Sequence, residues 1–167
     1  MEYLDVVNEQ DEVIGISSFD EAYSNLLSHR IVHVLIINSK KELLLQLRSA
    51  QKSFCPLHWS TAVGGHVQSG ETYEAAARRE FEEELGEGAD LVLIGKYRYV
   101  VLHTGQIKFL SVFRAHHDGP FHINKEEVER ADFFTREKVE EMIQMKEKFH
   151  PELLFLLEKP EILDALF

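Results

Sequence analysis

Between Gly65 and Gly86 the chain reads GHVQSGETYEAAARREFEEELG, which sets Arg79, Glu80, Glu83 and Glu84 close together behind a glycine turn. A helix from Thr72 to Leu85 would place Glu80, Glu83 and Glu84 on one stripe and Ala77, Phe81 and Leu85 on an adjoining apolar stripe. One side then faces a core and the other faces chemistry. Like charges at neighbouring helical positions oppose an isolated helix by roughly 0.2–0.5 kcal/mol per pair. A bound Mg²⁺ or Mn²⁺ reverses that sign. Most Glu-rich helices are simply solvated faces. Here the glycine turn, Glu71 and Arg79 stand in register, so Arg79 can tie the loop carboxylate to the helix and hold its neighbours in place.

These residues resemble the Nudix hydrolases, whose signature is G-x5-E-x7-R-E-U-x-E-E-x-G-U, with U a bulky apolar residue. Gly65, Glu71, Arg79, Glu80, Glu83, Glu84 and Gly86 all stand where it asks, and Phe81 fills the first apolar position. The departure is Glu87, where an aliphatic residue is expected. Many fixed identities at fixed spacing make this far more specific than a lone glycine motif. The resemblance implies an α/β/α sandwich on a mixed β-sheet. It also implies hydrolysis of a diphosphate linked to a group X, with Mg²⁺ or Mn²⁺ held by Glu80, Glu83, Glu84 and the backbone carbonyl of Gly64. Divalent ions would neutralise phosphoryl oxygens and lower the pKa of a coordinated water. The family supplies a general base variously, so Glu80 and, in NKEEVERADFF, Glu127 or Glu129 are all open; the latter pair can equally be plain surface residues.

Outside that segment the chain is similar to one branch, the isopentenyl diphosphate isomerases and hydrolases like them. LDVVNEQDEVIG, N-x3-ELLLQLRS and KSFCPLHW carry the likeness over residues 1–90. Arg48 and Lys52 fall where the branch binds diphosphate, and His29 and His66 where the isomerase binds metal. The isomerase cysteine falls at Gly64, however, and glycine does no acid-base work. Its later glutamates fall near Gln106 and Lys108. The hydrolase residues are complete and the isomerase residues are not, which leaves the isomerase, or a non-catalytic nucleotide- or metal-binding protein, as the weaker alternatives.

The chain has 167 residues, 44% of them hydrophobic, with no repeat or linker, as expected for a single domain over 1–167 with its motif at 65–87. A formal net charge of −11 opposes duplex nucleic acid and anionic membranes, so a phosphate substrate must be met by local cations. The acidic opening MEYLDVVNEQDEVIG lacks the basic and apolar regions of a signal peptide. The apolar run from Ile31 to Ile37 is too short for a bilayer. The single cysteine, Cys55, excludes an internal disulfide and fits a reducing, cytoplasmic setting. Nothing in the chain commits to a homodimer, though similar proteins form them, and loops that read X carry no transferable code.

The elements that must position these residues follow from pattern. Leu4–Asn8 and Val13–Ser17 read as a hairpin, and SFDEAYSNLL as a helix capped by Ser18. RIVHVLIIN is apolar almost throughout, a strand covered on both faces, and ELLLQLR follows it as another. STAVGGHV enters the glycine turn, and Thr72 caps the motif helix. LVLIGKYRYVVLH and IKFLSVFRAHH read as paired strands, with REKVEEMIQM and PELLFLLEKPEILDALF as terminal helices. Trp59 entering its strand reads as core, and Cys55 lacks the partners of a catalytic thiol.

Overall fold

A computed structural model describes residues 1–86 and 88–167; Glu87, the departure from the motif, lies outside the described residues. Strands β1 (Tyr3–Val7) and β2 (Val13–Ser18) form an antiparallel hairpin that leads into a short helix, α1 (Phe19–Ser24). Ser18 caps that helix reciprocally with Glu21, so two helix-start donors are satisfied at once.

The central sheet is organised by β3 (His29–Ile37), which pairs in parallel with β8 (Ile107–His116) along its whole length. Its other edge is shared: β4 (Leu43–Arg48) takes one end and β6 (Val63–His66) the other, both antiparallel. β4 pairs on its far edge with β9 (Val128–Phe134) and, on the edge it presents to β3, with β5 (Trp59–Thr61), while β7 (Val92–Val100) closes the other side of the sheet against β8. One parallel pairing among antiparallel ones makes the sheet mixed, as expected.

The near-continuous apolar character of β3 now has its cause. Val32, Val34 and Ile36 point to one layer, where they meet Ala76, Ala77, Phe81 and Leu85 of helix α2 (Tyr73–Leu85). Ile31, Leu35 and Ile37 point to the other, against α3 (Arg136–Gln144), α4 (Pro151–Leu157) and α5 (Pro160–Leu166). Period-two alternation thus feeds two cores, one per face of the sheet. His33 breaks the apolar pattern on the second face.

Helix α2 begins where Thr72 accepts from the backbone N–H of Ala75 and ends at Gly86, whose φ of 70° is the left-handed turn glycine tolerates best. The C-terminal run divides into α4 and α5 because Pro160 starts a new helix at its first turn. One strand was not legible: β9 falls within NKEEVERADFF, to which the reading above assigns no element and only the candidates Glu127 and Glu129. Its charged residues hide a segment that pairs with β4 from Leu43 to Arg48, so Glu127 immediately precedes the strand and Glu129 lies on it.

Candidate active site

Strand β6 brings the glycine pair between two layers. Gly64 pairs with His33 and Gly65 with Val32. A Cβ on Gly65 would overlap the Glu80 carboxyl group, so glycine there is what lets that side chain lie against the strand.

Arg79 is the tie between turn and helix. Its Nε and Nη2 donate to the two oxygens of Glu71 at 2.8 and 2.9 Å, a bidentate fork. Nη1 donates to Glu80 at 2.7 Å, and Nη2 also donates to the His66 carbonyl at 3.0 Å. Glu71 further accepts from the backbone N–H of Gln68 at 2.9 Å. The hydrogen bonds from Arg79 hold the Glu71 carboxyl below its ordinary range, and those to Glu71 hold Arg79 firmly protonated.

Glu84 lies differently. It accepts from the Gly64 N–H at 3.2 Å and from the Gln46 side-chain amide at 3.0 Å, both neutral donors. Burial dominates, and pushes its carboxyl up to about 8. Glu80 is also raised by burial, which outweighs the opposing pull of Arg79. Glu83 remains at the surface, its side chain 59% exposed and 3.4 Å from Arg79. Among the described residues no three His, Cys, Asp or Glu side chains are already gathered around a single metal position. Glu80 and Glu84 are brought to the glycine strand, then, and Glu83 is left beside it. The oxygen-only donor set still fits a hard divalent ion, and Glu84 is a half-buried acid with no side-chain cation bonded to it.

The other sequence candidates are distributed around this centre. Arg48 donates from Nε and Nη2 to the Phe54 carbonyl at 3.2 and 3.0 Å, bracing the loop between β4 and β5. Lys52, on that loop, is ion-paired with Glu127 and close enough to Glu84 to lower its pKa. Glu129 is exposed on β9. His66 Nε2 meets the Tyr23 hydroxyl at 2.7 Å, and burial pushes its imidazole down to about 3. His29 packs beside it, ring centroids 5.5 Å apart, and is pushed down to about 4 by burial. Trp59 is core, its Nε1 donating to Glu147 at 3.0 Å. Where the isomerase resemblance asks for glutamates, Gln106 donates to the carbonyls of Ala22 and Leu27 and Lys108 pairs with Glu152.

Sequence reasoning missed three participants. Gln46 carried a signal, a polar residue inside the apolar run LLLQLR. Glu2 carried none: the hairpin brings it within electrostatic reach of Arg79, Glu71 and Glu83, and burial raises its pKa. Glu152 was read only as part of a terminal helix, yet it is buried and bonded to His33.

Comparison with known proteins identifies the family. The family model for the NUDIX domain matches residues 27–157. An uncharacterised Nudix hydrolase of Nostoc sp. is 41% identical over 115 residues, 68% of each chain. Another, from Pseudomonas aeruginosa, is 37% identical over 131 residues, 78% of this chain and 77% of its own. The crystal structure of DR0079 from Deinococcus radiodurans superposes with a TM-score of 0.82 at 31% identity, over 93% of this chain and 97% of that one. The NUDIX domain of Shewanella oneidensis NrtR, solved in complex with ADP ribose, shares the fold alone, with 14% identity, a TM-score of 0.62 and coverage of 83% and 88%. The match over most of the chain, with a glycine strand facing a carboxylate helix, makes this protein a member of the NUDIX domain family, a Nudix hydrolase.

Proposed function

We propose that the chain is one Nudix hydrolase domain over residues 1–167 that cleaves a diphosphate linkage by attack of water on phosphorus, with Mg²⁺ or Mn²⁺ required. Glu80, Glu83, Glu84 and the Gly64 carbonyl are the groups that would hold the ion. When bound, it would supply neutralisation of the phosphoryl oxygens and a more acidic water.

The observation that carries the reading is the half-buried Glu84 carboxyl set against Gly64 and bonded only to neutral donors. An acid placed this way costs stability unless a cation joins it. The protein's own residues divide the remaining work. Arg79 locks Glu71 and Glu80 in place, and Gly65 leaves room for the Glu80 carboxylate. Lys52 and Arg48 meet substrate phosphate, which requires Lys52 to exchange its Glu127 partner for the incoming anion. Glu127, so released, and Glu80 are the two candidate bases; Glu129, exposed on β9, is the weaker third.

The substrate is a small diphosphate, with nucleoside di- or triphosphates first among the classes to assay. The strongly acidic surface gives duplex nucleic acid and anionic membrane no favourable partner, and among the described residues no helix is long and apolar enough to cross a membrane. A cytoplasmic setting and a homodimer are compatible readings. Phosphate release from a panel of nucleoside and isoprenoid diphosphates, with Mg²⁺, Mn²⁺ or EDTA, tests the proposal. Metal-dependent turnover supports it, and a folded, metal-bound protein inert on every member argues for a binding role.

A further inference from the structure

Glu152 stands at the start of α4 and is 5% exposed, a carboxylate set among helices and sheet. A charge there is retained only at a cost unless both oxygens are well used. They are used on different partners. Oε2 meets His33 Nε2 at 2.8 Å, and Oε1 accepts from Lys108 Nζ at 3.0 Å.

Each partner continues to one end of β6. His33 Nδ1 meets the Thr61 hydroxyl at 2.9 Å, and that hydroxyl lies 3.0 Å from the Val63 carbonyl, to which it can donate. A Cβ on Gly64 would come within 3.1 Å of His33 Nδ1 and 3.2 Å of Thr61 Oγ1, so the Gly64 main chain rests directly on this pair. On the other arm, Lys108 Nζ lies 5.3 Å from the centre of the Tyr23 ring, whose hydroxyl meets His66 Nε2 at 2.7 Å. From the opposite face, Glu84 accepts from the Gly64 N–H and Arg79 donates to the His66 carbonyl. The strand that meets the candidate metal carboxylates is therefore held on its second side by a fork whose base is Glu152.

We propose that Glu152 is a positioning residue for the Gly64–His66 strand, acting through His33 and Thr61 at one end and through Lys108 and Tyr23 at the other. This rests on the hydrolase reading, because positioning matters only if Gly64 and the motif carboxylates work together. A simple anchor for α4 would need one partner; two arms that end on opposite ends of the same strand serve alignment.

The test uses the full chain with Glu152→Gln, Thr61→Val and Lys108→Met, each compared with native protein below its melting transition. Amide hydrogen exchange is read at Gly64, Gly65 and His66 in metal-free protein, with kcat, KM and the half-saturating Mn²⁺ concentration read separately. Glu152→Gln should speed exchange at both Gly64 and His66 by about tenfold or more. It should lower kcat by about 10- to 100-fold with KM changed less than about twofold, as displaced but intact groups require. Thr61→Val should loosen Gly64 more than His66, and Lys108→Met the reverse. Native exchange and native kcat in Glu152→Gln, with only the melting temperature lowered, would overturn the proposal. If that variant does not fold, Thr61→Val decides, and native exchange at Gly64 overturns it equally. Absence of metal-dependent turnover in native protein would sink the hydrolase reading, while the exchange pattern would still decide the role of Glu152.

Discussion

Replacing Glu84 by Gln separates catalytic loss from loss of fold, and the structure sets both magnitudes. In metal-free protein the folded-state pKa of about 8 lies above the usual carboxyl value of 4.5, so the folded state keeps a proton that the unfolded chain releases. This contribution is fully favourable below the unfolded pKa and is lost as pH rises through the folded one; at pH 7 its cost is on the order of 3 kcal/mol. Glutamine removes that cost. Its single carbonyl can accept from the Gly64 N–H or from Gln46 but not serve both as well, which returns roughly 1–2 kcal/mol. The net change is a gain of about 1–2 kcal/mol, or a few degrees in melting temperature for a chain of this size. Activity should move the other way. A missing ion ligand forfeits several kcal/mol of transition-state stabilisation, about 10³-fold in kcat. Phosphate release at saturating Mg²⁺ and calorimetry without metal measure the two effects. Activity within a few-fold of native, or activity and melting temperature falling together, would refute the reasoning.

Arg48→Ala should raise KM several-fold and lower kcat little, as uniform phosphate binding requires; steady-state kinetics with a drop confined to kcat would count against it. Lys52→Met and Glu127→Gln should be strongly non-additive in kcat/KM, because each releases the other from their ion pair; a double variant equal to the product of the singles contradicts the exchange of partners. His29 and His66 are pushed down to about 4 and 3 by burial, so the unfolded chain binds their protons first. Their stability contribution is present above the ordinary imidazole value of 6.5 and is lost as pH falls towards the folded values, on the order of 1.4 kcal/mol per pH unit for each. Urea midpoints of the Glu84→Gln protein, in which the opposing titration of Glu84 is removed, check this at pH 7 and pH 5, and a higher midpoint at pH 5 would be inconsistent with neutral buried imidazoles.

The fold was largely legible because its signals are local. The two-faced apolar run of β3, the caps at Ser18 and Thr72, and the left-handed Gly86 all declare themselves in sequence. Strand β9 did not, since Glu129, Arg130 and Asp132, with Glu127 just before them, give the stretch the composition of a loop, and only pairing with β4 makes it a strand. Within the site, Arg79 and Glu71 could be paired from spacing, because a glycine turn and one helix fix their separation. Gln46, Glu2 and Glu152 could not, because they arrive from elements far apart in the chain. Glu83 shows a further limit: helical periodicity placed it beside Glu80 and Glu84, but side-chain direction leaves it at the surface against Arg79.

The most direct test of the central claim is hydrolysis of a nucleoside diphosphate-linked substrate in ¹⁸O-labelled water, followed by ³¹P NMR with Mg²⁺ and again with EDTA. Cleavage that needs the metal and places the label on a phosphoryl product is the expected result. Turnover undiminished by EDTA, or products whose phosphoryl groups carry no label, would contradict metal-dependent attack of water on phosphorus.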